Sequence, residues 1–391
     1  MVAPIADRVL ARIDRGLAQG SIEATLPDGA RRVLGGHAPG PCAVVDVVHW
    51  RALRRLAAGG SAGWYEAWAV GEWTSPDPVV LFELFMLNRR TLGRAARARG
   101  LSKLARRAWH WMRRNHRAGA KRNVAAHYDL GNDFYETWLD PSRTYSSGLF
   151  AEPISAAQSL ESAQQAKLAA ILERTAAKPG ETILEIGCGW GSFAATAAAA
   201  GIAVHGITLS EEQKAFVDDR RLPGVTVSLT DYRDVRGQYD AVASIEMVEA
   251  VGEEFWSAYL RVVAGVLKPG GRAAIQLISI DDAIFDAYAA SVDFIQRYIF
   301  PGGMLISESR FRAIAERAGL VWHDRHGFGL HYAETLLRWR SAFDAAVVEK
   351  RLPARFDADF VAMWRYYLMY CEGGFRGGGI DVAQVTLVKE G

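Results

Sequence analysis

The chain has 391 residues, half of them hydrophobic and 23% charged, which is the signature of a soluble globular protein with room for two domains and a large core. Three widely spaced cysteines, Cys42, Cys188 and Cys371, exclude a disulfide framework and a metal-ligand cluster and point to a reduced, cytoplasmic compartment. The opening MVAPIADRVLARIDRG is broken by charges and does not read as a signal peptide. No apolar run approaches the roughly 20 residues that span a bilayer, so any membrane contact is expected from outside, as a peripheral protein. Net charge is only +2, yet 13 of the 46 Lys and Arg residues fall between Leu84 and Tyr128, a window without Asp or Glu. Such a block points to a polyanionic surface.

In chain order, residues 1–20 place Ile5, Val9, Leu10, Ile13 and Leu17 on one face of an amphipathic helix. Residues 21–75 alternate like strands between DG, GG and PG turns, and SPDPVVLFELF reads as a helix capped by Ser75 or Asp77. These elements form a small α+β domain, residues 1–88. Residues 89–122 form a basic helical linker in which Trp109 and Trp111 are interleaved with Arg and His. That mixture suits a lipid headgroup interface, and no further motif speaks for nucleic acid. From His127 to Phe150 the chain is aromatic, polar and irregular, a pattern that marks functional loops. Residues 156–177 form an alanine-rich helix.

Strands and helices then alternate through ETILEIG, AVHGITL, VTVSLTD, YDAVASIE and GRAAIQLISI, which predicts a doubly wound parallel sheet. The first strand runs into Gly187, Gly189 and Gly191, two residues after Glu185. This G-x-G-x-G turn lacks the spacing for a pyrophosphate and suits an adenosyl ligand, which leads to S-adenosylmethionine. In such sheets ligands bind at the carboxyl ends of strands. Five segments meet there: Glu185–Gly191, Thr208–Gln213, Asp231–Tyr232, Glu246–Glu249 and Gln276–Ser279. The last third is helical and rich in aromatics, among them Phe294, Tyr298, Tyr332, Trp364, Tyr366 and Tyr370. They suit core packing, a greasy substrate or a transient carbocation.

Taken together, HYDLGNDFYETWLDPSRTYSS, ESAQQAKLAAIL, LEIGCGWGSFA, GITLSEEQ, DYRDV, MVEAVGEEFW, FIQRYIFPGGML, GFGLHYAETLLRW and YCEGGFRGGGI resemble the cyclopropane-fatty-acyl-phospholipid synthases, over about residues 123–391. The resemblance implies an α/β fold: a doubly wound, mostly parallel seven-stranded Rossmann-like sheet in a methyltransferase domain at 123–391. It implies S-adenosylmethionine as cofactor, unsaturated acyl chains of membrane phospholipids as substrate, and a homodimer. By the same likeness Tyr145, Ser146, Gly187, Gly189, Thr208, Leu209, Gln213, Asp231 and Tyr232 hold the cofactor.

The family is also thought to use bicarbonate as base, held by a backbone amide, a glutamate, a histidine and a tyrosine. Glu249 and Tyr332 match two of these. Ser147 stands where some members have cysteine, and Gln276 where they have histidine. Cys371 matches a family cysteine. Glu246 is additional, and its charge would repel bicarbonate or serve as the base itself. Weak or absent bicarbonate binding is therefore expected. The product is then a cyclopropane or, alternatively, a methyl- or methylene-branched chain or furan precursor, according to which proton the base removes. A branched product calls for a reductase partner. A non-catalytic lipid-binding protein is a further alternative, against which the intact glycine turn, Glu185, Glu249 and Tyr332 argue.

Overall fold

The computed structural model describes residues 3–92 and 130–390. The basic linker beyond Leu92, with Trp109 and Trp111, lies outside the described residues. The chain divides into two compact units. One comprises Met1–Arg113, Asp281–Pro301 and Leu336–Ile380; the other comprises Arg114–Ile280, Gly302–Thr335 and Asp381–Gly391. The division is discontinuous in sequence, whereas the sequence reading takes 123–391 as one domain.

In the first unit an amphipathic helix, Ala3–Gly16, precedes β1 (Ser21–Thr25), β2 (Arg31–Gly35), β3 (Cys42–Val47) and β4 (Trp73–Thr74), which form a sheet in the order β2-β1-β3-β4. The stretch between β3 and β4, part of the residues read from sequence as strands and turns, is instead a helix, Arg51–Ala69. It bends at Gly60, whose φ of 60° and ψ of −142° break the helix without a Cβ penalty. Apolar residues such as Leu53, Leu56, Trp64 and Tyr65 are buried along it, so burial overrides the local turn signal. Trp64 stacks on Trp73 at 4.4 Å. Asp77 caps helix Pro78–Leu87 by accepting from the Val79 amide at 3.0 Å, as one of the two expected caps. Arg89 and Arg90, the described start of the basic stretch, both pair with Asp281, at 2.8 and 2.9 Å.

Helix Ala358–Arg376 runs through Gly373 and Gly374. The reason is close approach. A Cβ on Gly373 would lie 2.5 Å from Phe82 Cβ and 2.7 Å from the Val79 carbonyl, so only glycine lets this helix meet Pro78–Leu87. Tyr65, Phe82, Phe294, Tyr366 and Tyr370 form one ring cluster beside that contact.

The second unit is built on a seven-stranded sheet, β10-β11-β9-β8-β5-β6-β7. Its strands are β5 (Thr182–Ile186), β6 (Ala203–Thr208), β7 (Val225–Leu229), β8 (Tyr239–Ile245), β9 (Leu267–Ile280), β10 (Leu320–Gly327) and β11 (Ile380–Lys389). The pairs β5–β6, β5–β8, β6–β7 and β8–β9 are parallel, and β10–β11 is antiparallel. The sequence reading names no strand at β10. That strand carries His323, Asp324, Arg325 and His326, which are exposed, so its apolar alternation is lost after Trp322. Helix Leu160–Thr175, capped by Ser159, packs Leu168 and Ile171 against Ile183, Phe193, Ala241 and Ala274. This packs the helix against β5, β8 and β9. Among the described residues no helix is long and apolar enough to cross a membrane.

Gly373→Ala is expected to lower the urea midpoint of unfolding, at a cost of about 1–3 kcal/mol, because the clash is with main-chain atoms and a side-chain Cβ. Gly265→Ala, in helix Trp256–Val266 where an added Cβ meets nothing within 4 Å, is expected to raise it by up to about 1 kcal/mol.

Candidate active site

Strand β5 delivers the glycine turn. Gly187, Gly189 and Gly191 all have φ in the left-handed region, at 85°, 51° and 77°. A Cβ on Gly187 would sit 2.8 Å from Met247 Cγ. The amides of Gly187 and Cys188 both donate to the Ile207 carbonyl, at 3.0 and 3.1 Å, which ties the turn to the end of β6. A cavity opens over these strand ends. The turn contributes Glu185, Gly187 and Gly189 to its wall, and the end of β6 contributes Thr208, Leu209 and Gln213. Tyr145, Ser146 and Tyr232 complete the predicted lining. Gly191 instead starts helix Ser192–Ala199. The Asp231 carboxylate is held by Arg233 through two 2.7 Å bonds and does not line the cavity.

Two buried polar atoms of this wall, Glu185 Oε2 and Gln213 Nε2, have no hydrogen-bond partner among the described residues. Burial pushes the Glu185 carboxyl well above its usual range, against the pull of Lys167. Gln213 is fixed from its other end, where the Thr208 hydroxyl donates to Oε1 at 2.7 Å. An acceptor and a donor left open in a low-dielectric cleft ask for a ligand with a cationic group and a hydroxyl or ring acceptor. S-adenosylmethionine carries all of these, so the residues present fit it. Glu185 and Gln213 would hold its polar groups, and the open backbone at Gly189 would admit it.

On the wall of the cavity, three other parts of the chain converge on one carboxylate. Glu246 Oε1 accepts from the Ser147 amide at 2.9 Å and from Gln276 Nε2 at 2.7 Å, and Oε2 accepts from the Tyr332 hydroxyl at 2.8 Å. Its own amide donates to the Gln276 carbonyl at 2.8 Å. Glu246 has a φ of 49°, rare for a residue with a side chain, directly after β8. The Ser147 hydroxyl turns away and donates to the Gly148 carbonyl at 2.9 Å, so this residue serves Glu246 through its amide alone.

Burial pushes the Glu246 carboxyl up, opposed by Ser147, Lys167, Gln276 and Tyr332. Burial also pushes Glu249, to about 8, and Glu246 adds to that rise; only backbone amides oppose it, chiefly that of Ile278. Glu249 Oε2 has no hydrogen-bond partner among the described residues. Of the two acids, Glu246 is therefore the one whose charged form finds donors here, and Glu249 the one this environment keeps neutral. Cys371 lies on helix Ala358–Arg376 of the other unit, where burial and then Asp293 push its thiol up.

Two residues of this site escape the sequence reading. Lys167 is fully buried and donates to the Ser146 hydroxyl at 2.6 Å; burial pushes it down to about 8, against Glu246, Asp140 and Glu185. Gln164, one helical turn earlier, donates to the Ser146 carbonyl at 2.8 Å. Both share a face with Leu168 and Ile171. Two polar residues on the apolar face of an alanine-rich helix are the signal that could have revealed them.

This sheet, with a glycine turn at the end of β5 and an open cleft above it, defines a Rossmann-like methyltransferase. Residues 115–385 match the profile of the mycolic acid cyclopropane synthetase family, and the chain belongs to it. It is thus an S-adenosylmethionine-dependent methyltransferase of the fatty-acid methyltransferase and cyclopropane synthase family, and no longer a candidate for a purely lipid-binding role.

Among its relatives is the tuberculostearic acid methyltransferase of Mycobacterium tuberculosis, 36% identical over 362 residues, 86% of this chain and 81% of that protein. The cyclopropane-fatty-acyl-phospholipid synthase of Escherichia coli is 38% identical over 266 residues, 67% of this chain and 66% of that protein. The cyclopropane synthase MmaA2 of Mycobacterium tuberculosis superposes with a TM-score of 0.63 at 30% identity, over 69% of this chain and 98% of that one. The mycolic acid cyclopropane synthase CmaA1, solved with SAH and CTAB, superposes with a TM-score of 0.64 at the same identity and coverage.

Glu185→Gln keeps the shape of the wall but removes the carboxyl that a cationic ligand would draw into its charged form. It is expected to weaken S-adenosylmethionine binding at least about tenfold by titration calorimetry, or about 1.4 kcal/mol. The second test concerns Glu249. Its folded-state pKa lies above the unfolded value, so its stabilising contribution is complete below the ordinary carboxylate range and is lost as pH rises toward about 8. Glu249→Gln is neutral throughout. Relative to wild type its urea midpoint is therefore expected to rise between pH 5 and pH 9; a pH-independent difference would refute the raised pKa.

Proposed function

We propose that this chain methylates the cis double bond of unsaturated acyl chains in membrane phospholipids, with Glu246 as the base, and that the product is methyl- or methylene-branched. The observation that carries this reading is the set of bonds at Glu246. The Ser147 amide, Gln276 and Tyr332, expected from resemblance to serve a bound bicarbonate, all donate to a carboxylate that the chain itself supplies. A second anion beside Glu246 would meet like-charge repulsion in a low dielectric. The likeness to a tuberculostearic acid methyltransferase over 86% of the chain supports a branched product. A membrane-borne substrate is supported by the basic composition between Leu84 and Tyr128.

The cofactor supplies an electrophilic methyl group. An alkene is a weak nucleophile, so the protein's task is to position it and to keep water out. Addition of the methyl group leaves one alkene carbon with an empty orbital. Glu246 accepts a proton from the adjacent chain carbon, whose C–H electrons form a double bond in a methyl-branched chain. If a 1,2-hydride shift first moves the empty orbital to the methyl-bearing carbon, loss of a methyl proton gives the methylene branch. Without that shift, loss of the same proton closes a cyclopropane ring. Three fixed donors favour the charged form of the Glu246 carboxylate and hold it in one orientation, which selects one of these protons. Glu249, held neutral, adds no second negative charge. The product retains a double bond, so a saturated branch requires two electrons and two protons from a separate reductase.

Mass spectrometry and NMR of lipids from cells expressing the protein are expected to show branched chains, formed in vitro at the same rate with and without bicarbonate. Glu246→Gln is expected to reduce turnover by at least about 100-fold, within the usual range for loss of a general base. Cyclopropane lipids made at bicarbonate-dependent rates would sink the proposal.

A further inference from the structure

Gln384 lies in β11 within the run Val382–Leu387, all of it buried, and is itself fully inaccessible. A buried amide in an apolar strand must have every donor and acceptor met. Its Nε2 donates to Gln276 Oε1 at 3.1 Å and to the Lys167 carbonyl at 3.3 Å. Its Oε1 accepts from Arg174 Nε at 3.2 Å. Arg174 is anchored in turn, donating through NH1 to the Asp324 carbonyl at 2.6 Å and to the Thr386 hydroxyl at 3.3 Å. A guanidinium has no acceptor, so Gln384 must face it with its oxygen. Gln384 must then face Gln276 with its NH2, and Gln276 must face Glu246 with its own.

We infer that Gln384, oriented by Arg174, is a positioning residue that fixes which end of the Gln276 amide faces Glu246 and so keeps that carboxylate an acceptor of three hydrogen bonds. The inference rests on the reading of Glu246 as the base. A free Gln276 amide could rotate and turn its carbonyl toward Glu246. The carboxylate would lose a donor and gain a repelling dipole, and would hold its proton to higher pH. Among the described residues, the other charged and titratable groups around Glu246 are Lys167 on the Leu160–Thr175 helix, Tyr332, and Glu249 in the turn after β8. Glu185 on β5 and Asp140 act on it through Lys167. Of these, Lys167 meets Gln384, through its main-chain carbonyl and not through its ammonium, so substituting Gln384 or Arg174 acts on the amide chain and leaves each of these titrating groups in place.

The test is the pH profile of turnover with S-adenosylmethionine and oleoyl phospholipid vesicles. Gln384→Glu is isosteric but presents only acceptors. It would pair with Arg174, draw the Gln276 NH2 to itself and leave the carbonyl facing Glu246. The acidic limb of kcat is expected to move up by about one unit, a loss of roughly tenfold below the limb, with KM for the acyl substrate unchanged. Arg174→Met removes only the anchor and is expected to move the limb in the same direction by less. It also serves if Gln384→Glu does not fold. A purely structural role predicts a lower unfolding midpoint and an unmoved limb. Glu246→Gln separates the two layers: wild-type turnover in that variant overturns the base, and with it this inference. An inactive Glu246→Gln with unmoved limbs in both other variants overturns the positioning role alone.

Discussion

A carboxylate taken out of water must find hydrogen-bond donors or take up a proton, and the second unit is arranged around that constraint at Glu246. Its donors come from a loop 99 residues away, a strand 30 residues away and a helix 86 residues away. The backbone there takes a left-handed φ of 49°. Such a conformation costs on the order of 1–3 kcal/mol and persists only where the surroundings over-determine it. The side-chain bonds and the amide bond to the Gln276 carbonyl do so. Strain at the end of β8 and the aim of the carboxylate are one feature.

The same constraint divides the charges. Glu246 and Glu249 lie three residues apart, yet one accepts from three parts of the chain and the other has an oxygen with no partner among the described residues. Like charges in a shared low-dielectric space force one of them neutral, and the donors decide which. Lys167 and Glu185 extend this balance into the cofactor cleft, where each moderates the other's desolvation. The site is thus set up to receive a cationic cofactor and an apolar chain, with one donor-held carboxylate beside them.

Much of the frame is legible in the sequence, for identifiable reasons. The strands β5, β6, β7 and β8 and the glycine turn are visible because buried parallel strands read as apolar runs and left-handed turns require glycine. The Arg51–Ala69 helix is missed because its glycines read locally as turns, while burial of Leu53, Leu56 and Trp64 decides otherwise. Strand β10 is missed because its outer half is charged and exposed. Asp231 is singled out correctly as a strand-end acid, but a neighbouring Arg233 takes both of its oxygens.

By itself the sequence determined the class of chemistry: the glycine spacing after β5 and the strings along 123–391 specify a methyl-delivering cleft in this family. It also contained Glu246 as an acid out of place. What that acid does was decided only by tertiary structure. The donors of Ser147, Gln276 and Tyr332, and the amide of Gln384 behind them, come from segments far apart in the chain. Each is unremarkable in its local pattern. Hydrogen-bond direction and desolvation are properties of neighbours in space, and no spacing rule along the chain encodes them.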